Sequence, residues 1–525
     1  MIYDAIILGS GAGGMAAGLT LARAGHSVLV LEAGKQYGGM MNPFARGKFD
    51  FDVGLHYLGE CGPGQALRRV FDYLGLDELT FRELSPEGFD RYVFPGASGA
   101  LCKGIDEWVA SLRTSYPQES RGLERFANLL KAADAASRAA ARGPRPGDVR
   151  TLGRESVWLA KSLHVTMQQI ADHYFRDPGL KNLVTAPCGD VGVPPGRMTG
   201  FVGLALLVHF LNGAYYPRGG TRAWRDAFVT GMQKAGAELH RNREVTAIVK
   251  EADGTFRVRT GHGDEWRGRT VVSNFDPGDT LAMLAGAKPD WFSRRKIGKL
   301  KPSLGTVCIF LGLNLDLPKL GLTDANIWHY PSDDLEGLFN DVSTGALQEA
   351  PFVFVTSPTI KDPDHHKAPP GHHTLELITG ASAHRFKPWF HEKTQKRGAE
   401  YDRLKNDFAD GILELVEKHY VPGLRDHVVV REAAPPPTNV SSGRAHDGGI
   451  YGPEFSREQT FLGRYLPWVG VPGLYLAGAG VFGPGVMTCT LSGFAAGKLA
   501  SLRLRGERAL TRDGALQELQ NLLPV

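Results

Sequence analysis

An α/β fold in two interleaved lobes is the architecture this sequence predicts, and three observations predict it. The chain opens on a strand, a glycine-rich turn and a helix; it closes on a second glycine-ended strand feeding a second helix; a long, mostly helical interval lies between. Its 525 residues support the division, because a single hydrophobic core rarely grows past about 250–300 residues. The 42% apolar and 22% charged fractions are those of a soluble globular chain. Sixty basic against 56 acidic residues leave a formal charge of +4, too weak a bias to argue for a nucleic-acid partner.

The opening carries the strongest chemistry. Ile2 to Leu8 is a short apolar run of β type, followed by Gly9-Ser10-Gly11-Ala12-Gly13-Gly14 and then by the helical Met15–Leu19. This is the glycine spacing of a dinucleotide site in the strand–turn–helix setting it requires. Gly9 permits the tight turn, Gly11 lets backbone approach a pyrophosphate, and Gly14 lets the helix pack closely on the strand. The helix N-terminus then offers unpaired N–H groups and a positive dipole end to the phosphates. A second strand, Ser27 to Leu31, ends in Glu32, the acid expected to accept from a ribose 2′-hydroxyl and to repel a 2′-phosphate.

FAD and NAD both satisfy that pattern, and residues elsewhere decide for FAD. Gly38-Gly39-Met40 would let a loop cross close to the cofactor, and Phe49–Tyr57 mixes alternating strand character with a glycine turn at Gly54. Near the other end the strand Gly473–Gly480 runs into glycines, then Gly483-Pro484-Gly485-Val486-Met487 and a small-residue helix from about Leu491 to Leu504. A second helix N-terminus suits the flavin end of a long cofactor, which NAD does not require.

Taken in order, segments 1–110, 212–280 and 455–525 carry β–turn–α or β-ladder signals and are expected to form one discontinuous FAD-binding domain. Its further strands are expected at Glu238–His240, Val245–Val249, Phe256–Arg259 and Thr270–Ser273. Residues 111–211 read as a helical insert facing substrate or membrane, with the alanine-rich Ala127–Ala141 stopped by Gly143-Pro144-Arg145-Pro146-Gly147. Interval 281–454 returns to strands, expected at Thr306–Leu313, Phe352–Thr356 and His373–Ile378, and reads as the substrate domain. The fold class is therefore an FAD-binding Rossmann-type lobe of three layers, ββα, interleaved with a mixed-sheet and helical substrate lobe. Leu159, Leu163, Met167 and Ile170 form an apolar stripe, continued by Phe201–Leu207; it is either plain core or the wall of an apolar tunnel.

Across nearly the whole chain, these motifs resemble the phytoene desaturase superfamily of flavoproteins. The residues that carry the likeness are Gly9–Gly14 with Glu32, Gly38-Gly39, Asp52–Tyr57, Tyr216–Gly220, Val271–Asn274 and Gly473–Gly480. Gly54–Gly59, Gly189–Pro194, Gly213–Gly220 and Ala368–His373 place it nearest the retinol saturase and carotenoid isomerase branch. One departure is Met40, where desaturases of the family often carry Arg. The resemblance implies an apolar polyene or isoprenoid substrate changed at a double bond by saturation, desaturation or isomerisation. It implies FAD contacts from Gly9, Gly11, Gly13, Gly14, Glu32, Ala33, Gly38, Gly39, Met40, Gly54, His56, Val245, Asn274, Gly478, Ala479, Gly485, Val486 and Met487. Two other readings stay open: a flavin amine oxidase, and a flavoprotein without catalysis.

No protein nucleophile announces itself, since G-x-S-x-G, H-E-x-x-H and P-loop patterns are all missing. The hard step then belongs to the flavin. His56, Tyr57 and Glu60 follow the Gly54 turn and are the candidate catalytic side chains, each with a plain structural alternative. Backbone N–H groups near Met487, Thr488 and Cys489 are placed to face negative charge on a reduced flavin, with capping as the duller role of Thr488. No metal is expected; His365-His366 and His372-His373 lie in proline-rich turn sequence without further ligands at sensible spacing. Five scattered cysteines without C-x-x-C spacing point to a reducing, cytoplasmic setting. No stretch reaches the roughly 20 apolar residues of a membrane span. Trp291–Lys301, where aromatics adjoin five cations, reads either as a peripheral membrane contact or as a solvated basic helix. The electron partner is left open.

Overall fold

The computed structural model describes residues 1–142, 155–345, 350, 352–392 and 396–506. Ile2–Leu8 is fully buried from Ala5 onward. An unbroken apolar run of this kind is what a strand covered on both faces needs. It lies inside an eight-stranded sheet, with Val28–Leu31 on one side and Glu265–Ser273 on the other, both parallel to it. Glu238–His240 extends the sheet beyond Val28–Leu31.

Glu265–Ser273 forks, and the fork builds the layers. Its end, Val271–Ser273, pairs in parallel with Leu474–Leu476, while its start pairs antiparallel with Phe256–Thr260. Val245–Lys250 and Leu284–Ala285 continue that antiparallel arm. Helices Ala12–Arg23, Gly220–Lys234 and Val486–Leu504 pack against one another on the parallel part. The result is the expected three-layer ββα lobe.

A second sheet of seven strands runs Val428–Ala434, Gly305–Leu313, His373–Ala381, Val353–Thr356, Asn326–His329, Asp90–Val93, Ser98–Leu101. The last two come from segment 1–110, expected in the cofactor lobe. They cross over because Asp90–Val93 pairs in parallel with Asn326–His329. Helix Gly398–His419 packs on this sheet through Ala409, Ile412, Leu413 and Val416.

The insert is helical, as its pattern predicts: Ile105–Ser115, Ser120–Arg142, Ser156–Lys161, Met167–Tyr174, Pro178–Thr185 and Gly200–Leu211. Thr166 and Gln169 close a capping box, and Asp177 and Thr199 cap the next two α-helices, so these starts are set locally. The expected stop at Gly143–Gly147 lies outside the described residues. Leu159, Met167 and Ile170 of the apolar stripe sit in packed core, whereas Leu163 is 40% exposed. Trp291–Lys301 holds only a short helix, Trp291–Arg294, followed by turns. All five cysteines are free thiols. No described helix is long and apolar enough to cross a membrane.

Candidate active site

Gly9 turns the chain at φ +84°, its N–H donating to the Leu31 carbonyl at 2.8 Å. A Cβ at Gly14 would run into the Gly9 carbonyl, which is why the helix can start so close to its strand. Gly11 approaches Asn274 Nδ2, where an added Cβ would come within 2.6 Å, and a Cβ on Gly39 would lie 3.0 Å from Gly11 Cα. Gly38 donates to the Ser10 carbonyl and hydroxyl, both at 3.1 Å, so the loop of Gly38, Gly39 and Met40 is tied to the first turn. Glu32 orders the same turn: one oxygen accepts from Ser10 N (2.9 Å) and Ser10 Oγ (2.6 Å), the other from Gly34 N (2.6 Å). That second oxygen keeps a lone pair for a ribose hydroxyl. Ala33 follows it, and Val245 begins the antiparallel arm nearby, where Arg243 N meets the Glu32 carbonyl at 2.8 Å.

The closing strand and helix complete the cradle. Gly478 (φ +91°) donates to Ser492 Oγ at 2.8 Å, and Gly13 sits against Gly478 N and the Cys489 carbonyl. Asn274 lies among Gly11, Gly13 and Gly478 with its buried Oδ1 unpartnered. The Ala479 carbonyl accepts from the buried guanidinium of Arg464 at 2.8 Å. Gly11 and Gly485 precede the opening and closing helices, and neither supplies a side-chain cap. The first-turn N–H groups, among them those of Val486 and Met487, are left for an acceptor. Thr488 donates back to the Gly483 and Gly485 carbonyls instead of capping. A Cβ on Gly485 would meet nothing within 4 Å. Open backbone, a half-free acid and two uncapped helix starts fit a dinucleotide along its length.

Beyond Gly54 (φ +74°), packed on the Met40 carbonyl, the chain enters a network of buried polar groups. His56 Nδ1 lies 3.0 Å from Glu376 Oε2, and the Asp52 N–H donates to the other Glu376 oxygen at 2.9 Å. Burial raises the Glu376 pKa, opposed by His56. Asp52 accepts from Tyr216, from Thr221 N (3.0 Å) and Oγ1 (2.7 Å), and from the Lys367 ammonium (3.0 Å). Burial works against its charge, but Lys367 and these hydrogen bonds outweigh it and hold the pKa below the usual value. Tyr216–Gly220 is thereby fastened to the turn that carries His56 and Tyr57.

Tyr57 bridges two carboxyl groups. Its hydroxyl is 2.9 Å from Asp90 Oδ2 and 3.0 Å from Asp190 Oδ1. Asp90 also accepts from Asn326 Nδ2 at 2.7 Å, and Asn326 Oδ1 accepts in turn from Lys361. Burial lowers the Lys361 pKa to about 8, and burial raises that of Asp90 to about 6. The Tyr57 ring stacks on Phe210 at 4.6 Å and on Phe354 at 6.1 Å, and Trp328 lies 4.6 Å from Phe354. A cleft lined by Leu304, Phe339 and Phe390 together with Arg197, Lys387 and Glu454 opens beside this region. Gly192 also lines it, and a Cβ there would touch Leu304 and Tyr451.

His56 and Tyr57, both singled out from sequence, thus share one network, and Glu60 stands apart. Its carboxylate accepts from Ala66 N (3.1 Å) and Asn212 Nδ2 (3.0 Å), closing the turn before helix Ala66–Tyr73. Sequence reasoning passed over Asp90, Asp190, Lys361, Lys367 and Glu376. Asp52 and Asp190 lay within quoted motifs, but nothing local marked them as partners. Asp276, Asp279 and His446 bring ligand-type atoms within 4.8 Å of one another, but Asp276 caps the helix Pro277–Ala282 and His446 pairs with Asp279 at 3.0 Å.

Residues suited to a dinucleotide from ribose to flavin ring, set between two lobes that share a polar seam, define a flavoprotein oxidoreductase. The chain matches the family described as flavin containing amine oxidoreductase over residues 12–497, and it belongs to that family. Its cofactor is a flavin, and the dinucleotide cradle makes that flavin FAD. Among curated relatives, all-trans-retinol 13,14-reductase of Danio rerio is 27% identical, covering 94% of this chain and 84% of that protein. Prolycopene isomerase 1 of an Oncidium hybrid cultivar is 28% identical, covering 94% and 82%. Among solved structures, cyclohexylamine oxidase of Brevibacterium oxydans shares the fold at a TM-score of 0.60 and 16% identity, covering 96% of this chain and 100% of that one.

Proposed function

We propose that this enzyme converts a carbon–carbon double bond of an apolar polyene or isoprenoid lipid. The observation that carries the reading is the aromatic cluster beyond the Gly54 turn, where the Tyr57 ring lies near-parallel to those of Phe210 and Phe354. Such rings would offer flat apolar surface to a conjugated chain. Relatives named for retinol reduction and prolycopene isomerisation support the same substrate class. The cleft at Leu304, Phe339 and Phe390, which Arg197, Lys387 and Glu454 also line, would give such a chain a way toward that wall.

The bound flavin supplies hydride transfer to or from carbon. This chain's residues do the rest. Lys361 and His56 are fixed to the Tyr57 turn, the Lys361 ammonium donating to the His56 carbonyl at 2.8 Å, so the reactive face is rigid. Through Phe210 the insert shares one apolar core with Trp328 and Phe354, a low-dielectric surrounding that strengthens interactions of charge.

We further infer contact with a membrane surface, through Trp291 and Phe292 among Arg294, Arg295 and Lys299. A lipid-soluble substrate is best collected there.

The test is anaerobic. The enzyme is reduced chemically, retinoids and carotenoids are added in detergent, and flavin reoxidation is followed together with product mass and geometry. Gain of two hydrogens marks saturation, and altered geometry at constant mass marks isomerisation. With oxidised enzyme, loss of two hydrogens marks desaturation. Affinity is expected to rise by about 0.8 kcal/mol for each buried CH₂. The buried Asp90 and its neighbour Asp190, one of them ionised, would suit an amine cation, and they favour amine oxidation as the second reading. Hydrogen peroxide release on small amines, with every polyene inert in both flavin states, would put that reading in its place.

A further inference from the structure

Tyr57 has one hydroxyl proton and two carboxyl neighbours. The hydroxyl lies 2.9 Å from Asp90 Oδ2, and 3.0 and 3.3 Å from the two oxygens of Asp190. A phenol donates one hydrogen bond. Were both carboxyls ionised, one contact would set oxygen against oxygen with no proton between, inside a low-dielectric core. One of the two acids therefore carries a proton.

The partners decide which. Asp90 receives the amide of Asn326 at 2.7 Å, and the Lys361 ammonium reaches the same amide's oxygen, so a cation stands one residue away from the Asp90 charge. Among the described residues the Asp190 carboxyl has hydrogen bonds to Tyr57 alone. Burial and the neighbouring Asp90 charge push the Asp190 pKa far up. The consistent arrangement runs from Asp190 O–H to Tyr57 oxygen, and from Tyr57 O–H to Asp90 carboxylate.

Asp190 also keeps accessible surface although it lies deep in the molecule, and so do Tyr57, Tyr451 and Cys308. Tyr451 lies beside the same stretch, since a Cβ on Gly192 would fall 3.5 Å from its ring. Gly189 on one side packs against Trp328 and Tyr330, and Gly192 on the other against Leu304, both of these last two lining the cleft. Asp190 is thus an acid standing between the ring wall and the way in.

We propose that the neutral carboxyl of Asp190 is the proton source for the reacting double bond, with Tyr57 and Asp90 as positioning residues. The proposal rests on the double-bond reading above. In saturation, hydride adds to one alkene carbon as the reduced flavin is oxidised, and the Asp190 O–H bond breaks to form a C–H bond at the neighbouring carbon. The proton lost leaves a short-lived carboxylate at Asp190, and the adjacent Asp90 charge drives its reprotonation. Bulk water returns the proton before the next turnover.

Infrared difference spectroscopy with hydrogen–deuterium exchange at neutral pH reads the acid without substrate. Wild type is expected to show the C=O stretch of a protonated carboxyl, absent in Asp190→Asn and shifted in Tyr57→Phe, which removes its acceptor. In Asp90→Asn the band is expected to shift, because burial still favours the protonated Asp190 while the acceptor at the far end of the Tyr57 chain becomes an uncharged amide. Retained flavin absorbance verifies folding of each variant, and Asp190→Glu serves where Asn does not fold, with the band displaced rather than lost. Reoxidation of reduced flavin by retinol should slow on the order of 100-fold or more in Asp190→Asn. An unchanged band in Asp190→Asn overturns the proposal, and so does an unchanged rate in that variant while wild type turns over polyene. Wild type inert to every polyene overturns the double-bond reading itself, and the infrared result then stands only as protonation.

Discussion

Asp52 is surrounded by donors: Lys367 at 3.0 Å, Thr221 through both N and Oγ1, and Tyr216. Its pKa is lowered in the folded state, so the stability it contributes is present above the unfolded value and is lost as pH falls through the folded one. Asp190 does the opposite. Its folded pKa is raised, by burial first and then by the Asp90 charge, so its stability is full below the unfolded value and drains as pH rises. Between the unfolded aspartate pKa of about 3.9 and the folded one, each pH unit removes about 1.4 kcal/mol. Asp190→Asn keeps a donor toward Tyr57 and binds no proton. Its melting temperature relative to wild type is therefore expected to climb steadily from pH 5 to pH 8. The ionisable groups near Asp190 include Asp90, Tyr57, Tyr92, Cys188, Tyr330 and Tyr451; burial raises the pKa values of the tyrosines and the thiol, so they stay neutral across that range, and Asp90, raised to about 6, titrates in both proteins. A constant difference in melting temperature over those three units would mean that Asp190 is ionised in the native state.

The opening and closing helices meet on small residues. Gly493 of Val486–Leu504 lies so close to the Gly13 carbonyl that a Cβ would collide with it, and a Cβ on Gly497 would come 2.9 Å from the Ala17 carbonyl. Gly493→Ala must push the helices apart, an overpacking that typically costs about 1–3 kcal/mol, and it displaces both uncapped N-termini. Lower melting temperature and lower flavin occupancy are expected together. Gly411, exposed in Gly398–His419 with nothing within 4 Å of its Cβ position, is the contrast. There alanine should stabilise by about 0.5–1 kcal/mol and leave flavin untouched. Equal effects in the two variants would remove the close-packing account. Gly9–Gly14 and Glu32 were legible because their spacing works within one strand–turn–helix. Gly493 was not, since the contact that demands glycine comes from the far end of the chain. The acids behave likewise: Asp90, Asp190 and Asn326 lie on a strand, a short turn and another strand that only the fold brings to Tyr57.

At the scale of the whole molecule, the two lobes and their helical insert follow from pattern, whereas the crossing of Asp90–Leu101 into the second sheet does not. Short strands carry no label for their partners, and this one is chosen by Asn326–His329 through parallel pairing. The same limit hid the full extent of the surface around Trp291. Trp291 is 54% exposed, Phe292 49% and Ile297 38%; Phe461 and Leu462, far away in sequence, are exposed at 46% and 73%. Lys301 N reaches Gln459 at 2.6 Å and Lys296 the Arg464 carbonyl, so the two segments lie side by side. Phe461 in turn touches Phe201 of the insert at 5.3 Å. Arg294, Arg295 and Lys299 lie on the same stretch, and Arg295 covers the Trp291 ring at 4.5 Å. Apolar tips among cations suit an anionic bilayer, where each cation near the surface is worth about 1 kcal/mol and salt weakens it. Burying a large apolar side chain adds about 1.5–3 kcal/mol. Trp291→Glu with Leu462→Glu is therefore expected to weaken cosedimentation with phosphatidylserine vesicles by about tenfold or more. Flavin content and turnover of substrate offered in detergent should stay as in wild type, because neither side chain belongs to the cofactor cradle or the ring wall. Vesicle binding unchanged in that variant, or missing in wild type at low salt, would leave this face as ordinary solvated surface.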